Sequence, residues 1–330
     1  MTNVEAMHIV SAAEIARLLP MPDAIAVVSK AFAAISRRDG QFPKRMHLPL
    51  RDGDALVMPG YDGANYLGTK IVTVRSPQDG EPGTKAAYVL FDVRDVRPVM
   101  FCDGTALTAL RTGAATGLAT RRLARADAHT LALFGVGGQA AEQLAAVLAA
   151  RSIKTILVVG RDAARVERFV YRMRERFPSG PSIEIATSPE AAVLSAQVIV
   201  TATSSRTPVF DGKWVAPGTH VNAIGSFRPE MRELDTTLLR RARIVVDERE
   251  AALAESGELI RAVEEGCTRR SDLVELGEIG DGAARADDEI TVFKTVGHAA
   301  LDLFTAVALL GRMAQSPVLS NPVVFQSSGP

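Results

Sequence analysis

The chain has 330 residues, of which 47% are hydrophobic and 23% charged, and its 38 basic and 38 acidic side chains give a formal net charge of zero. That length favours two domains, and the charge balance argues against nucleic acid or an anionic membrane as the main partner. Only Cys102 and Cys267 are present, with neither metal-ligand spacing nor a disulfide framework, which points to a reducing cytoplasm and away from metal chemistry.

The N-terminus, MTNVEAMHIVSAAEIARLL, has no basic segment leading into an apolar core, so it does not read as a signal peptide. No apolar run reaches the roughly 18 residues of a membrane span. Residues 8–10 predict a short strand, and Ser11 with Glu14 predicts a capping box for the helix after it. A second helix is expected over 21–38, with Pro22 and Asp23 in its first turn and Gly40 past its end. Five strand-like stretches follow: RMHLPL, DALVMPGY, NYLGTKIVTV, AAYVLFD and PVMFCD. With no helix between them they predict an antiparallel sheet and hence a first domain.

Residues 107–126 read as a helix leading out of that domain. Strand and helix then alternate through LALF, TILVVG, SIEIA, QVIVTAT, HVNAIG and RIVVDE, the pattern of a Rossmann-type doubly wound parallel sheet. The acidic stretch 248–265 is expected to be a solvated helix face. A last strand, a glycine turn and a long apolar helix close the chain; that helix is expected to return to the first domain, with a partly extended tail beyond Gln315. The expected division is an α+β substrate and dimerisation domain of residues 1–120 and 297–330, and a dinucleotide-binding domain of residues 121–296.

The stretch HTLALFGVGGQAAEQLAAVLAA carries the strongest functional signal. It places Gly-x-Gly-x-x-Ala between a buried strand and a helix, the setting of a dinucleotide site. Gly135 permits the tight turn, Gly137 lets backbone approach a pyrophosphate, and Ala140 lets helix and strand pack closely. Gly138 and Gln139 lie in the same turn, ahead of a helix N-terminus that favours phosphate. At the end of the next strand stands Arg161, with Arg165 one turn on. A guanidinium there suits a 2′-phosphate and favours NADP(H), while Asp162 keeps NAD(H) open. Thr201 and Thr203 end a later strand at the binding edge, where they suit a ribose or simply cap a turn.

The strings GTKIVTV, EPGTKAAYVLFD, LTALRTGAATGLAT, FGVGGQA, VNAIGSFRPEMRELD and TVFKTVGHA, in this order from about residue 45 to 300, resemble the ornithine cyclodeaminase/μ-crystallin family. The resemblance implies homodimers formed through the first domain's sheet, and hydride exchange between a nicotinamide and the α-carbon of a small amino or imino acid. It implies that Arg45 and Arg111 bind the substrate carboxylate, and that Lys70 contacts it and assists proton transfer at the nitrogen. It further implies that Thr84 lies near nicotinamide and substrate, and that Thr295 lies near the carboxamide. Arg111 and Thr112 fall beside the cofactor cleft, as does Ser226 in the loop Gly225–Pro229. Chemistry agrees, because a fork of guanidinium donors fixes a carboxylate in one orientation, and Arg111 sits in an otherwise small and apolar helix.

One departure discriminates within the family. Where the ornithine cyclodeaminases carry an aspartate for the distal amine, this chain has Phe227. A second ammonium would lack its partner unless Asp211 or Glu230 supplied one. The loop instead resembles the ketimine reductase and μ-crystallin branch. The expectation is therefore reduction of a cyclic ketimine such as Δ1-pyrroline-2-carboxylate or Δ1-piperideine-2-carboxylate. The alternatives are ornithine cyclodeamination with recycled NAD+, an alanine-type dehydrogenase, and a non-catalytic ligand-binding protein. No metal is expected; His47 is a rim or core residue, or a proton donor, while His220 and His298 are structural and Trp214 packs under a loop.

Overall fold

Ser11 and Glu14 close the predicted box: Glu14 Oε2 accepts from the Ser11 N–H at 2.8 Å, and Ser11 Oγ accepts from the Glu14 N–H. The helix of residues 21–37 has Pro22 and Asp23 in its first turn and buries Ile25, Val28, Phe32 and Ile35 along one stripe. It stops where Arg38 turns left-handed, at φ 60°. The computed structural model describes residues 5–75, 83–282, 286–315 and 322–325. Glu81 and Pro82 of the EPGTKAAYVLFD string, and residues 316–321 and 326–330 of the tail, lie outside the described residues.

The chain runs β1 (Glu5–Val10), α1 (Ala12–Leu18), α2 (Met21–Arg37), β2 (Met46–Leu50), β3 (Gly53–Tyr61), β4 (Tyr66–Val74), β5 (Thr84–Asp92), β6 (Arg97–Asp103) and α3 (Gly104–Leu123). Alternation follows with β7 (Thr130–Phe134), α4 (Ala140–Ala150), β8 (Thr155–Val159), α5 (Ala163–Arg176), β9 (Ser182–Ile185), α6 (Pro189–Ser195), β10 (Val198–Thr201), β11 (His220–Ala223), α7 (Thr236–Arg241) and β12 (Ala242–Val246). The remainder is α8 (Arg249–Glu255), α9 (Gly257–Glu264), β13 (Val274–Glu275), β14 (Ile290–Lys294), α10 (Ala299–Ala314) and β15 (Pro322–Phe325). Two compact units result, residues 1–111 with 298–330, and residues 112–297. Among the described residues, no single helix is long and apolar enough to cross a membrane.

The first unit holds a seven-stranded sheet in the order β15-β1-β6-β5-β4-β3-β2. It is mixed rather than purely antiparallel, because β1 pairs parallel with β6 while β2 to β6 form antiparallel ladders. The long connection through α1 and α2 separates β1 from the meander and allows that orientation. Helix α10 lies against α2, β3 and β4. One row of the sheet's inner face runs across the strands as Met58, Lys70, Tyr88 and Cys102, all four buried. The opposite face is apolar and exposed at Ile9, Phe101, Ile71, Leu67, Met46 and Leu48.

The second unit is a Rossmann-type sheet of eight parallel strands, ordered β13-β12-β14-β11-β10-β7-β8-β9. Every residue of β7 and β10 is buried, as continuous apolar runs covered on both faces should be. Chain order reverses between β7 and β10, the switch point at which such sheets bind ligands. The late strand β14 inserts between β11 and β12, a placement that local pattern does not reveal. Residues 248–265 are not a uniformly solvated face: Glu258 is fully buried, and Glu248 caps α8 by accepting from the Ala251 N–H. The 107–126 helix starts earlier than expected, at Gly104, because Asp103 Oδ1 accepts from the N–H groups of Thr105 and Ala106.

Candidate active site

The turn between β7 and α4 is shaped by two different demands. At Gly135, φ is 100° and a Cβ would lie 2.6 Å from Ala202 O, so the neighbouring strand end requires glycine. At Gly137 and Gly138 a Cβ would meet nothing within 4 Å. Packing does not ask for glycine there; close approach by an outside group does. Helix α4 starts without a side-chain cap, which presents its first N–H groups and dipole end to an anion. Gln139 Oε1 is buried without a hydrogen-bond partner. An open cradle and an uncapped helix start fit a dinucleotide's pyrophosphate.

The end of β8 has glycine where an acidic side chain would otherwise project. Gly160 follows Val159, and a Cβ on it would sit 2.6 Å from Val166 Cγ2. Asp162 is committed to α5, where its carboxylate accepts from the Arg165 N–H at 3.1 Å. Arg161 and Arg165 are exposed. A groove of about 610 Å³ opens there, lined by Val136 of the glycine turn and by Arg165, Glu167, Arg168, Tyr171 and Arg172 of α5.

Several hydroxyls expected near the cofactor are bonded inside the unit instead. Buried Glu233 accepts from Thr201 Oγ1 at 2.9 Å and, at 2.7 Å each, from Thr203 Oγ1, the Thr203 N–H and the Gly225 N–H. Burial pushes its carboxyl above the usual range. Ser226 Oγ donates to Glu258 and accepts from Lys294 Nζ at 2.7 Å; Lys294 Nζ also lies 3.2 Å from Glu258 Oε1. Thr295 Oγ1 donates to Asp247 Oδ2 at 2.6 Å, and the same oxygen accepts from the N–H groups of Val296 and Gly297. Thr201, Thr203, Ser226 and Thr295 therefore brace the strand ends by donating their hydroxyl protons to buried carboxylates. Thr112 is buried in α3.

Phe227 carries the Arg228 guanidinium 5.5 Å from its ring centroid. Glu230 is exposed and 4.0 Å from Arg228, while Asp211 accepts from the Lys213 N–H in a short 3-10 turn. The charge next to Phe227 is thus a cation, the wrong sign for gripping a distal ammonium.

In the first unit, β4 places Lys70 on the buried inner row, and α3 buries Arg111 near its middle. Both meet a residue that sequence reasoning missed, Asp302 of α10. Lys70 Nζ donates to Asp302 Oδ1 at 2.8 Å and Oδ2 at 2.7 Å, and Arg111 Nε donates to Oδ1 at 3.0 Å. Burial lowers the Lys70 pKa to about 7, helped by the charges of Arg111 and Arg45 and opposed by Asp302. Burial also works against ionised Asp302, but Arg111 and Lys70 together hold its carboxyl below the usual range. Arg45, half-buried ahead of β2, joins this field; Thr84 is exposed at the start of β5. The fold thus sets Lys70 and Arg111 on one resident carboxylate, with Arg45 near enough for its charge to act on Lys70. A lone aspartate within the apolar run AALDLFTAVALL was the available sequence signal. Lys294 and Glu258 were missed likewise.

His220 is structural, with its ring nitrogens on Thr291 Oγ1 and Asn222 Oδ1, and His298 caps α10. His47 is exposed on β2, and Trp214 packs partly buried against the core of its unit.

The family profile "Ornithine cyclodeaminase/mu-crystallin family" matches residues 5–316. A Delta(1)-pyrroline-2-carboxylate reductase of Bacillus cereus is 37% identical over 323 residues, covering 94% of this chain and 98% of that protein. The structure of Thermococcus litoralis Delta(1)-pyrroline-2-carboxylate reductase in complex with NADH and L-proline superposes with a TM-score of 0.90 at 31% identity, covering 96% of this chain and 100% of that one. An archaeal alanine dehydrogenase dimer with bound NAD gives a TM-score of 0.87 at 32% identity, covering 97% and 99%.

Proposed function

The chain belongs to the ornithine cyclodeaminase/mu-crystallin family, and we propose that it reduces a small cyclic 2-imino acid to the amino acid with a nicotinamide dinucleotide. Δ1-Pyrroline-2-carboxylate and Δ1-piperideine-2-carboxylate are the substrates that fit this reading. The observation that carries it is the buried group of Lys70 and Arg111 on the one carboxylate of Asp302, with the charge of Arg45 acting on Lys70. An excess of positive charge out of water calls for an anion. Arg111 meets Asp302 through Nε, which leaves the edge of its fork with the terminal nitrogens for a substrate carboxylate, with Arg45 beside it. Lys70 holds the proton that the nitrogen needs. The bound reduced nicotinamide supplies the hydride to the imine carbon.

We assign the dinucleotide to the unit of residues 112–297 and the imino acid to the unit of residues 1–111 and 298–330. NADPH is the preferred form in this reading. What supports this is that a Cβ at Gly160 would crowd Val166, that Asp162 caps a helix, and that the exposed guanidiniums of Arg161 and Arg165 suit a 2′-phosphate. A second copy of the chain is the proposed partner for the apolar outer face at Ile9, Phe101, Ile71 and Met46, since patches of this kind mark interfaces. A cytoplasmic location is part of the same reading, supported by the two free thiols Cys102 and Cys267.

The purified protein should oxidise NADPH when given either cyclic imino acid, and release no ammonia from ornithine. Ammonia and proline from ornithine without added cofactor would favour a cyclodeaminase. NADPH or NADH consumed only with pyruvate plus ammonia would favour an alanine-type dehydrogenase. Cofactor binding without turnover would leave a ligand-binding protein.

A further inference from the structure

We infer that Asp302 is the positioning residue that keeps Lys70 aimed and charged as the proton donor, an assignment that rests on the imine-reductase reading above. Asp302 is buried on α10 and takes two donors of the Lys70 ammonium, one on each carboxylate oxygen. An ammonium has three donors. With two fixed on Asp302, the third has a set direction and is the one left for a substrate nitrogen.

The surroundings of Lys70 make Asp302 necessary. Arg111 of α3 and Arg45 ahead of β2 are cations. Tyr88, its cross-strand neighbour on β5, and Cys102 on β6 are uncharged: burial drives the Tyr88 phenol well up and the Cys102 thiol up to about 12. Among the described residues whose charge acts on Lys70, Asp302 alone is negative. Burial and two cations strip the ammonium; one carboxylate retains it. In the reaction, the imine carbon receives two electrons as hydride from the reduced dinucleotide. The π pair of C=N moves onto nitrogen and takes the third proton of Lys70 Nζ. Lys70 is left as a neutral amine still bonded to Asp302, and water restores its proton.

The test is Asp302→Asn, which keeps shape and removes charge. In cofactor-free protein, the 13Cε resonance of Lys70, identified by its loss in Lys70→Arg, should titrate about 1–3 pH units lower than in the unaltered protein. In turnover, the fall of kcat with rising pH should move the same way, without a rise in KM for the imino acid, because the group removed is an anion. Asp302→Glu keeps the charge and shifts its place, so its pH limb should stay with the unaltered protein while kcat falls. If Asp302→Asn does not fold, Asp302→Glu carries the test. An unmoved Lys70 titration in Asp302→Asn, a loss of kcat equal at every pH, or an acid-shifted limb in Asp302→Glu would overturn the inference. An unaltered protein that oxidises no NADPH with any cyclic imino acid would instead defeat the reductase reading, and the resonance would still report on Asp302.

Discussion

Lys70 and Arg111 converge on one oxygen: Asp302 Oδ1 accepts from Lys70 Nζ at 2.8 Å and from Arg111 Nε at 3.0 Å. Removing either cation therefore changes the other's field. In Arg111→Gln the nearby positive charge that lowers the Lys70 pKa is gone, so Lys70 stays protonated to higher pH. A step that needs protonated Lys70 is lost as pH rises through its pKa, so the alkaline limb of kcat should move up from about 7. KM for the imino acid should rise about 10- to 100-fold, the worth of a charge-assisted contact. A pH series of kcat and KM checks both, and the limb moves opposite to that of Asp302→Asn.

The proposed preference for NADPH rests on Arg161. Arg161→Ala should raise KM for NADPH about 10- to 100-fold while leaving KM for NADH within about twofold, because only the 2′-phosphate loses a partner. Steady-state assays with the two cofactors check this. Equal losses with both would place Arg161 outside the 2′-phosphate site.

The two glycine demands separate experimentally. Gly135→Ala should cost about 1–3 kcal/mol of stability, since it forces a side chain into positive φ against Ala202. Gly137→Ala should leave stability within about 0.5 kcal/mol, yet weaken dinucleotide binding severalfold. Thermal unfolding and titration with NADPH, run on both variants, test the contrast.

In the second unit, Glu258→Gln leaves buried Lys294 without its ionic partner and should destabilise by about 3–5 kcal/mol. Lys294→Met with Glu258→Met should cost less than the two single changes summed, because neither charge is then stranded. Denaturant unfolding of Glu258→Gln, of each single methionine variant and of the double variant measures the coupling.

Local chemistry was readable wherever it acts over a few residues. The Ser11–Glu14 box, the alternation of β3 to β6, and the glycine turn between β7 and α4 follow from nearest neighbours and backbone sterics. Lys70 and Arg111 stood out as charges in apolar settings, and Arg45 through the family resemblance. Their shared partner did not, because Asp302 meets Lys70 across 232 residues of sequence and no periodicity encodes that pairing. Glu258 and Lys294 were hidden for the same reason: each looks like an ordinary residue of its helix or strand until the sheet brings them together. The hydroxyls of Thr201, Thr203, Ser226 and Thr295 have a second role that the sequence did not show. Their positions at strand ends suited a ligand, but buried carboxylates from distant segments already claim their protons.

The central claim is that this protein delivers hydride to the carbon of a C=N bond beside a carboxylate. Its most direct test follows deuterium from NADPH dideuterated at C4 into product made from Δ1-pyrroline-2-carboxylate. The account predicts proline with a single deuterium, located at C2. Proline without deuterium at C2, or no proline from any reduced cofactor, would contradict it.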